Sequence, residues 1–76
     1  MLKELVEHIV RLLAEKKDGI VVTETVRDGA RLFEIKVDEV DLGRVIGKSG
    51  QTIRAIRALL SVVDTDAQPI NIDVTH

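Results

Sequence analysis

The stretch Val45-Ile46-Gly47-Lys48-Ser49-Gly50-Gln51-Thr52-Ile53-Arg54-Ala55-Ile56 restricts this chain more than any other. Two glycines bracket one basic and one small residue. Aliphatic residues stand just before them and recur at helical spacing after them. The pattern implies a tight turn between two helices, with the second opening near Gly50. A helix N-terminus leaves backbone N–H groups unpaired and carries positive partial charge, so it attracts anions. Glycine has no Cβ to keep a phosphate away from the backbone. With the mobile cation of Lys48 beside them, residues 47–50 form a candidate phosphate seat.

The elements around this turn follow from periodicity. Leu2, Leu5, Val6, Ile9, Leu12 and Leu13 recur at three- and four-residue steps, which predicts an amphipathic helix over 2–17 closed by Asp18-Gly19. The helix is expected to pack on a core rather than lie on a membrane, since its polar face mixes both signs of charge and has no aromatic anchor. His8 is expected at the surface. Residues 20–26, rich in valine and threonine, predict a strand, and Asp28-Gly29 a hairpin turn. In the second strand, 30–37, Phe33, Ile35 and Val37 alternate with Leu32, Glu34 and Lys36, so one sheet face is covered. Phe33 is the only aromatic residue and falls in the inward series, where core packing is expected rather than base stacking.

Asp38 is placed to cap a short helix over 39–46 that turns Leu42, Val45 and Ile46 inward. Gly43 weakens that helix and is expected either to allow close packing or to keep it short. The second helix of the pair runs over 51–63, with Ile53, Ile56, Leu60 and Val63 facing the core and Gln51, Arg54, Arg57 and Ser61 forming a polar stripe. A polar loop over 64–68 and Pro69 lead to a last strand, 70–74. The order is αββααβ. A hairpin makes the first two strands antiparallel, and a right-handed two-helix crossover allows the third to pair in parallel. The expected fold is α+β, a three-stranded mixed sheet with three helices packed on one face, in a single domain spanning 1–76.

The G-x-x-G turn with isoleucine three residues beyond it, set between a short helix and a longer one, resembles the signature of KH domains. The element order resembles the type II arrangement of that family. Over nearly its whole length the chain is similar to the small bacterial single-KH proteins of the KhpA family. That resemblance implies single-stranded RNA binding, with the G-x-x-G loop clamping about four nucleotides by their backbone. It places the phosphates over Gly47, Lys48, Ser49 and Gly50. Bases would lie beside the two helices and the second hairpin strand, on an aliphatic floor from Val45, Ile46 and Ile53. Gln51, Arg54 and Arg57 would line the nucleic acid, and Arg44 would reach it from the first helix of the pair. The residues themselves do not distinguish RNA from single-stranded DNA; the resemblance implies RNA. It also implies self-association, pairing with a KhpB-type (Jag-family) protein, and a role in post-transcriptional regulation or as an RNA chaperone.

Charge agrees with this placement once it is read locally. The 76 residues carry a net charge of −2, yet residues 42–63 hold Arg44, Lys48, Arg54 and Arg57 and no acid. The remainder has seven cations against thirteen acids, a balance of −6. A local field of this kind favours a phosphate ligand at one face and disfavours indiscriminate adhesion elsewhere. With one aromatic residue, the chain lacks the stacking platforms of RRM-type or OB-fold readers. A hydrophobic fraction of 45% suffices for a core. A chain this short buries about 60% of its unfolded surface, so stability of roughly 4–11 kcal/mol is expected.

Other classes fit less well. Gly47-Lys48-Ser49 matches the end of a Walker A loop, but that motif needs a glycine where Leu42 stands, and Gly43 comes one residue too late. It also needs a strand directly before the loop. No nucleophile–base set stands out, so no enzymatic activity and no cofactor are expected. There is no cysteine, and the two histidines, His8 and His76, have no ligand spacing, so no metal is expected either. No apolar run approaches membrane length, and the first helix is too charged for a signal peptide. A cytoplasmic location is the expectation. The alternative function is a protein–protein (dimerisation) module whose loop has only incidental affinity for nucleic acid.

Overall fold

A computed structural model describes residues 2–64 and 68–76. Helix α1 spans Leu2–Leu13, strand β1 Val21–Arg27, strand β2 Ala30–Lys36, helix α2 Glu39–Ile46, helix α3 Gln51–Val63 and strand β3 Ile70–Thr75. Short 3-10 turns occupy Lys17–Gly19 and Lys48–Gly50. The middle of the expected 64–68 loop lies outside the described residues.

The hairpin forms as its sequence implies. Asp28 (φ 54°) and Gly29 (φ 76°) both adopt left-handed backbone, the requirement of a two-residue I′ turn, and Arg27 pairs with Ala30 across it. Strand β2 is central, antiparallel to β1 and parallel to β3. The two registers align three inward rows across the sheet: Val22–Ile35–Val74, Glu24–Phe33–Ile72 and Val26–Arg31–Ile70. Phe33, Ile35 and Val37 are buried, while Glu34 and Lys36 are exposed on the open face. Val6 and Val10 of α1, Val45 of α2, and Ile56 and Leu60 of α3 meet them from one side. The fold is therefore the α+β, three-stranded mixed sheet with three helices on one face that the sequence implies.

Three details differ from the periodic reading, and at Gly43 one of two expected alternatives falls away. Helix α1 stops at Leu13, not at residue 17, because Asp41 intercepts its continuation. The backbone N–H groups of Glu15 and Lys16 donate to the two Asp41 carboxylate oxygens, each at 2.8 Å, instead of to the helix carbonyls four residues back. Asp41 is fully buried on α2, so one carboxylate fastens the end of α1 to the helix that carries the loop. Those two hydrogen bonds, Glu15 first and Lys16 second, hold its pKa below the usual aspartate value, against burial, which pushes the other way. Leu12 is 73% exposed and Val63 45% exposed, so neither joins the core assigned to it. Finally, a Cβ at Gly43 meets nothing within 4 Å, so this glycine does not serve close packing within the chain.

The inward row at the hairpin end contains a charge that the alternation did not flag. Arg31 is mostly covered, and its guanidinium lies 3.2 Å from the Glu24 carboxylate, 3.7 Å from that of Asp64, and 3.3 Å from the Gln68 side-chain oxygen. A buried guanidinium is tolerable only with such partners. Here it ties β1 and the two flanks of the α3–β3 connection to β2.

Candidate functional site

The α2–α3 turn is built from three residues with positive φ in four positions. Gly47 (φ 78°, ψ 169°) ends α2 with its N–H donating to the Gly43 carbonyl at 2.8 Å. Ser49 (φ 55°, ψ 29°) and Gly50 (φ 74°, ψ 16°) then form a left-handed pair, with the Gln51 N–H returning to the Lys48 carbonyl. That is again the backbone of a I′ turn, as at Asp28-Gly29. The Gly50 N–H closes on the Gly47 carbonyl at 3.1 Å. Gly47 is required twice over: its φ is left-handed, and a Cβ there would overlap the Thr52 side chain and lie 2.7 Å from the Thr52 backbone nitrogen. Gly50 has only a flexible neighbour, the Arg54 guanidinium at 3.2 Å from its would-be Cβ, so its left-handed φ is the constraint there.

Helix α3 then begins on Gly50 without a side-chain cap and without an acid in its first turn. Its opening N–H groups and the positive end of its dipole therefore face the turn. Lys48 is exposed at the tip. Arg54 reaches back from α3, and its Nη1 donates to the Ser49 carbonyl at 2.6 Å. Arg57 follows one turn later, also exposed. Among the described residues, none of Lys48, Arg54 and Arg57 pairs with a carboxylate within 4 Å. Among the described residues the turn and the start of α3 carry cationic side chains and no acid, and so suit anions bound by N–H groups and guanidinium together.

The structure brings Gly47, Lys48, Ser49, Gly50, Gln51 and Arg54 together at the turn, with Ile46 and Ile53 half-buried beside it and Arg57 extending the cationic edge. Two sequence-derived candidates do not join them. Val45 has no exposed surface and belongs to the core cluster on the inner side of α2. Arg44 points to the far side of α2, toward the end of α1, where its guanidinium lies 3.5 Å from the Leu13 carbonyl and 3.9 Å from the Glu15 carboxylate. Both edges of β2 are paired, and the strand that α2 and α3 pack against is β3. Thr52, which fills the space Gly47 leaves, was missed; only the three-dimensional turn reveals that contact. No group of three or more metal-ligating side chains occurs among the described residues.

Comparison with known proteins agrees with this geometry. The family model for the KhpA/KhpB KH domain matches residues 3–75. RNA-binding protein KhpA of Thermotoga maritima is 41% identical over 75 residues, covering 99% of this chain and all of the relative. RNA-binding protein KhpA of Streptomyces coelicolor is 32% identical, covering all of this chain and 98% of the relative. In structure, the chain is similar to APE1850, whose crystal structure superposes with a TM-score of 0.63 at 28% identity over 91% of this chain. The match spans about half of that protein (48%). The order of elements fits a KH-like fold, and this chain belongs to the KhpA/KhpB KH-domain family.

Proposed function

We propose that this protein binds single-stranded RNA, with the sugar-phosphate backbone seated on Gly47, Lys48, Ser49 and Gly50. The observation that carries the reading is the uncapped α3 N-terminus set behind two consecutive left-handed residues and flanked by three cations without carboxylate partners among the described residues. Relatives named as RNA-binding proteins support it. Bases lie over Ile46 and Ile53, on the side where α2 and α3 meet β3, and are recognised by contact and by hydrogen bonds to their edges. Gln51, Arg54 and Arg57 line the strand. The role is post-transcriptional regulation or RNA chaperoning in the cytoplasm, without enzymatic chemistry.

Replacing Lys48 and Ser49 together with aspartate tests this. The double variant removes a cation and puts two carboxylates in the phosphate seat, and both side chains are exposed, so the core is spared. Fluorescence anisotropy with a short end-labelled oligouridylate is expected to show binding by the wild type and none by the folded variant. Neutralising about three phosphates gives a wild-type slope of log K against log salt of roughly −2. Unchanged affinity in a variant with native circular dichroism would remove the turn as the phosphate site.

A second element of the proposal is self-association. Leu59, Val62 and Val63 are exposed and spaced three and four residues apart on α3, forming one apolar strip that faces away from the core. A second copy applying the same strip buries both, and a KhpB-type partner presenting an equivalent helix takes the same place. A linked second site raises avidity for RNA beyond that of one short clamp.

A further inference from the structure

The contact between Arg54 and the Ser49 carbonyl assigns Arg54 a task that precedes any ligand. In a planar trans peptide the C=O and the following N–H point in opposite directions. The Ser49–Gly50 peptide is held at both of those ends: the Ser49 carbonyl accepts from Arg54 Nη1 at 2.6 Å, and the Gly50 N–H donates to the Gly47 carbonyl at 3.1 Å. Ser49 needs this restraint. It is a non-glycine residue at φ 55°, a region that β-carbon crowding disfavours. At Asp28, the other non-glycine residue with positive φ among the described residues, the adjoining antiparallel strands hold the turn. No ladder flanks Ser49, and it lacks the short carboxylate or amide that eases Asp and Asn into such geometry.

We propose that Arg54 is a positioning residue: its guanidinium fixes the Ser49–Gly50 peptide and so sets the backbone of residues 47–50 in the shape that receives phosphate. One of its donors is spent on the carbonyl, and the others remain for solvent or ligand. The effect is preorganisation, in which the ordering cost of the turn is met within the protein before RNA arrives. The inference rests on the RNA-binding reading for its functional consequence, but not for its structural one.

The test has two arms on the intact protein. Heteronuclear NMR relaxation of the free protein compares wild type with Arg54→Gln, whose shorter side chain does not reach the Ser49 carbonyl, and with Arg54→Lys, whose ammonium does. In Arg54→Gln the backbone order parameters of Ser49 and Gly50 are expected to fall from about 0.85 to below about 0.6 while those of β1, β2 and β3 stay put. Arg54→Lys restores them. Binding of the labelled oligouridylate is then expected to weaken by about tenfold more in Arg54→Gln than in Arg57→Gln, which removes a cation from the same helix without touching the turn. If instead the turn amides stay ordered in Arg54→Gln, or Arg57→Gln loses as much affinity as Arg54→Gln, the positioning role is overturned. A disordered turn with unchanged affinity overturns it as well. Failure of the wild type to bind the oligonucleotide would sink the RNA reading alone, because the relaxation arm needs no RNA.

Discussion

Gly43 and Gly47 stand one helical turn apart, joined by a hydrogen bond, and tolerate a methyl group very differently. A Cβ at Gly43 meets open space in a helical segment. Gly43→Ala is therefore expected to raise stability by about 1 kcal/mol, the helix-propensity difference, and the thermal midpoint by about 4–8 °C. At Gly47 the same substitution combines a left-handed φ with overlap on Thr52. Gly47→Ala is expected to cost about 1–3 kcal/mol from backbone strain before the clash is counted. Thermal unfolding followed by circular dichroism checks both; a destabilising Gly43→Ala would contradict the open space. The sequence marked both residues as glycine but could not say which one the fold requires. Val45 teaches the same lesson. It adjoins the loop in sequence, yet the helix turns it into the core.

At the scale of elements, what is local was legible. Helices α2 and α3 fall on the expected residues because their caps and apolar spacing lie within them: the Asp38 carboxylate accepts from the Val40 N–H at 3.1 Å, and glycines delimit the turn. The hairpin was legible from Asp28-Gly29 for the same reason. The end of α1 was not, because the residue that decides it lies on another helix, Asp41, 26 and 25 residues beyond the amides it binds. The central position of β2 was legible too, since the hairpin pairs it with β1 and the two-helix crossover returns the chain to pair β3 beside it in parallel. Asp41 also implies a pH dependence. Its folded pKa is depressed, so its contribution is complete above the ordinary aspartate value near 3.8 and is lost as pH falls through the lower folded value. Asp41→Asn has one acceptor for two N–H groups and sets an NH₂ against the other. The variant is expected to have a lower urea midpoint at neutral pH and to lose part of the wild-type decline below about pH 4. Equal midpoints at neutral pH would show that the α1–α2 fastening carries no stability.

Over the whole molecule, the net charge of −2 conceals a division of labour. The cationic turn lies at the start of α3, while the apolar strip of Leu59, Val62 and Val63 lies toward its end, so one helix serves both proposed contacts without either blocking the other. Val62 is 82% exposed, and Val62→Glu is expected to leave the fold intact while shifting sedimentation from dimer to monomer at micromolar concentration. A wild type that sediments as a monomer throughout the series would remove the strip as an interface. The parallel pairing of β2 with β3 has a consequence in time. Phe33 waits for Ile72, a partner 39 residues further along the chain, whereas the β1–β2 hairpin and the α2–α3 pair close over short loops. Long-range pairing carries a larger closure cost and comes late in folding. During synthesis, the residues of the turn between α2 and α3 are joined before those of β3, the strand those helices pack against. The growing chain therefore carries the proposed phosphate seat in sequence before it holds that turn in shape, and the support of the turn waits on β3.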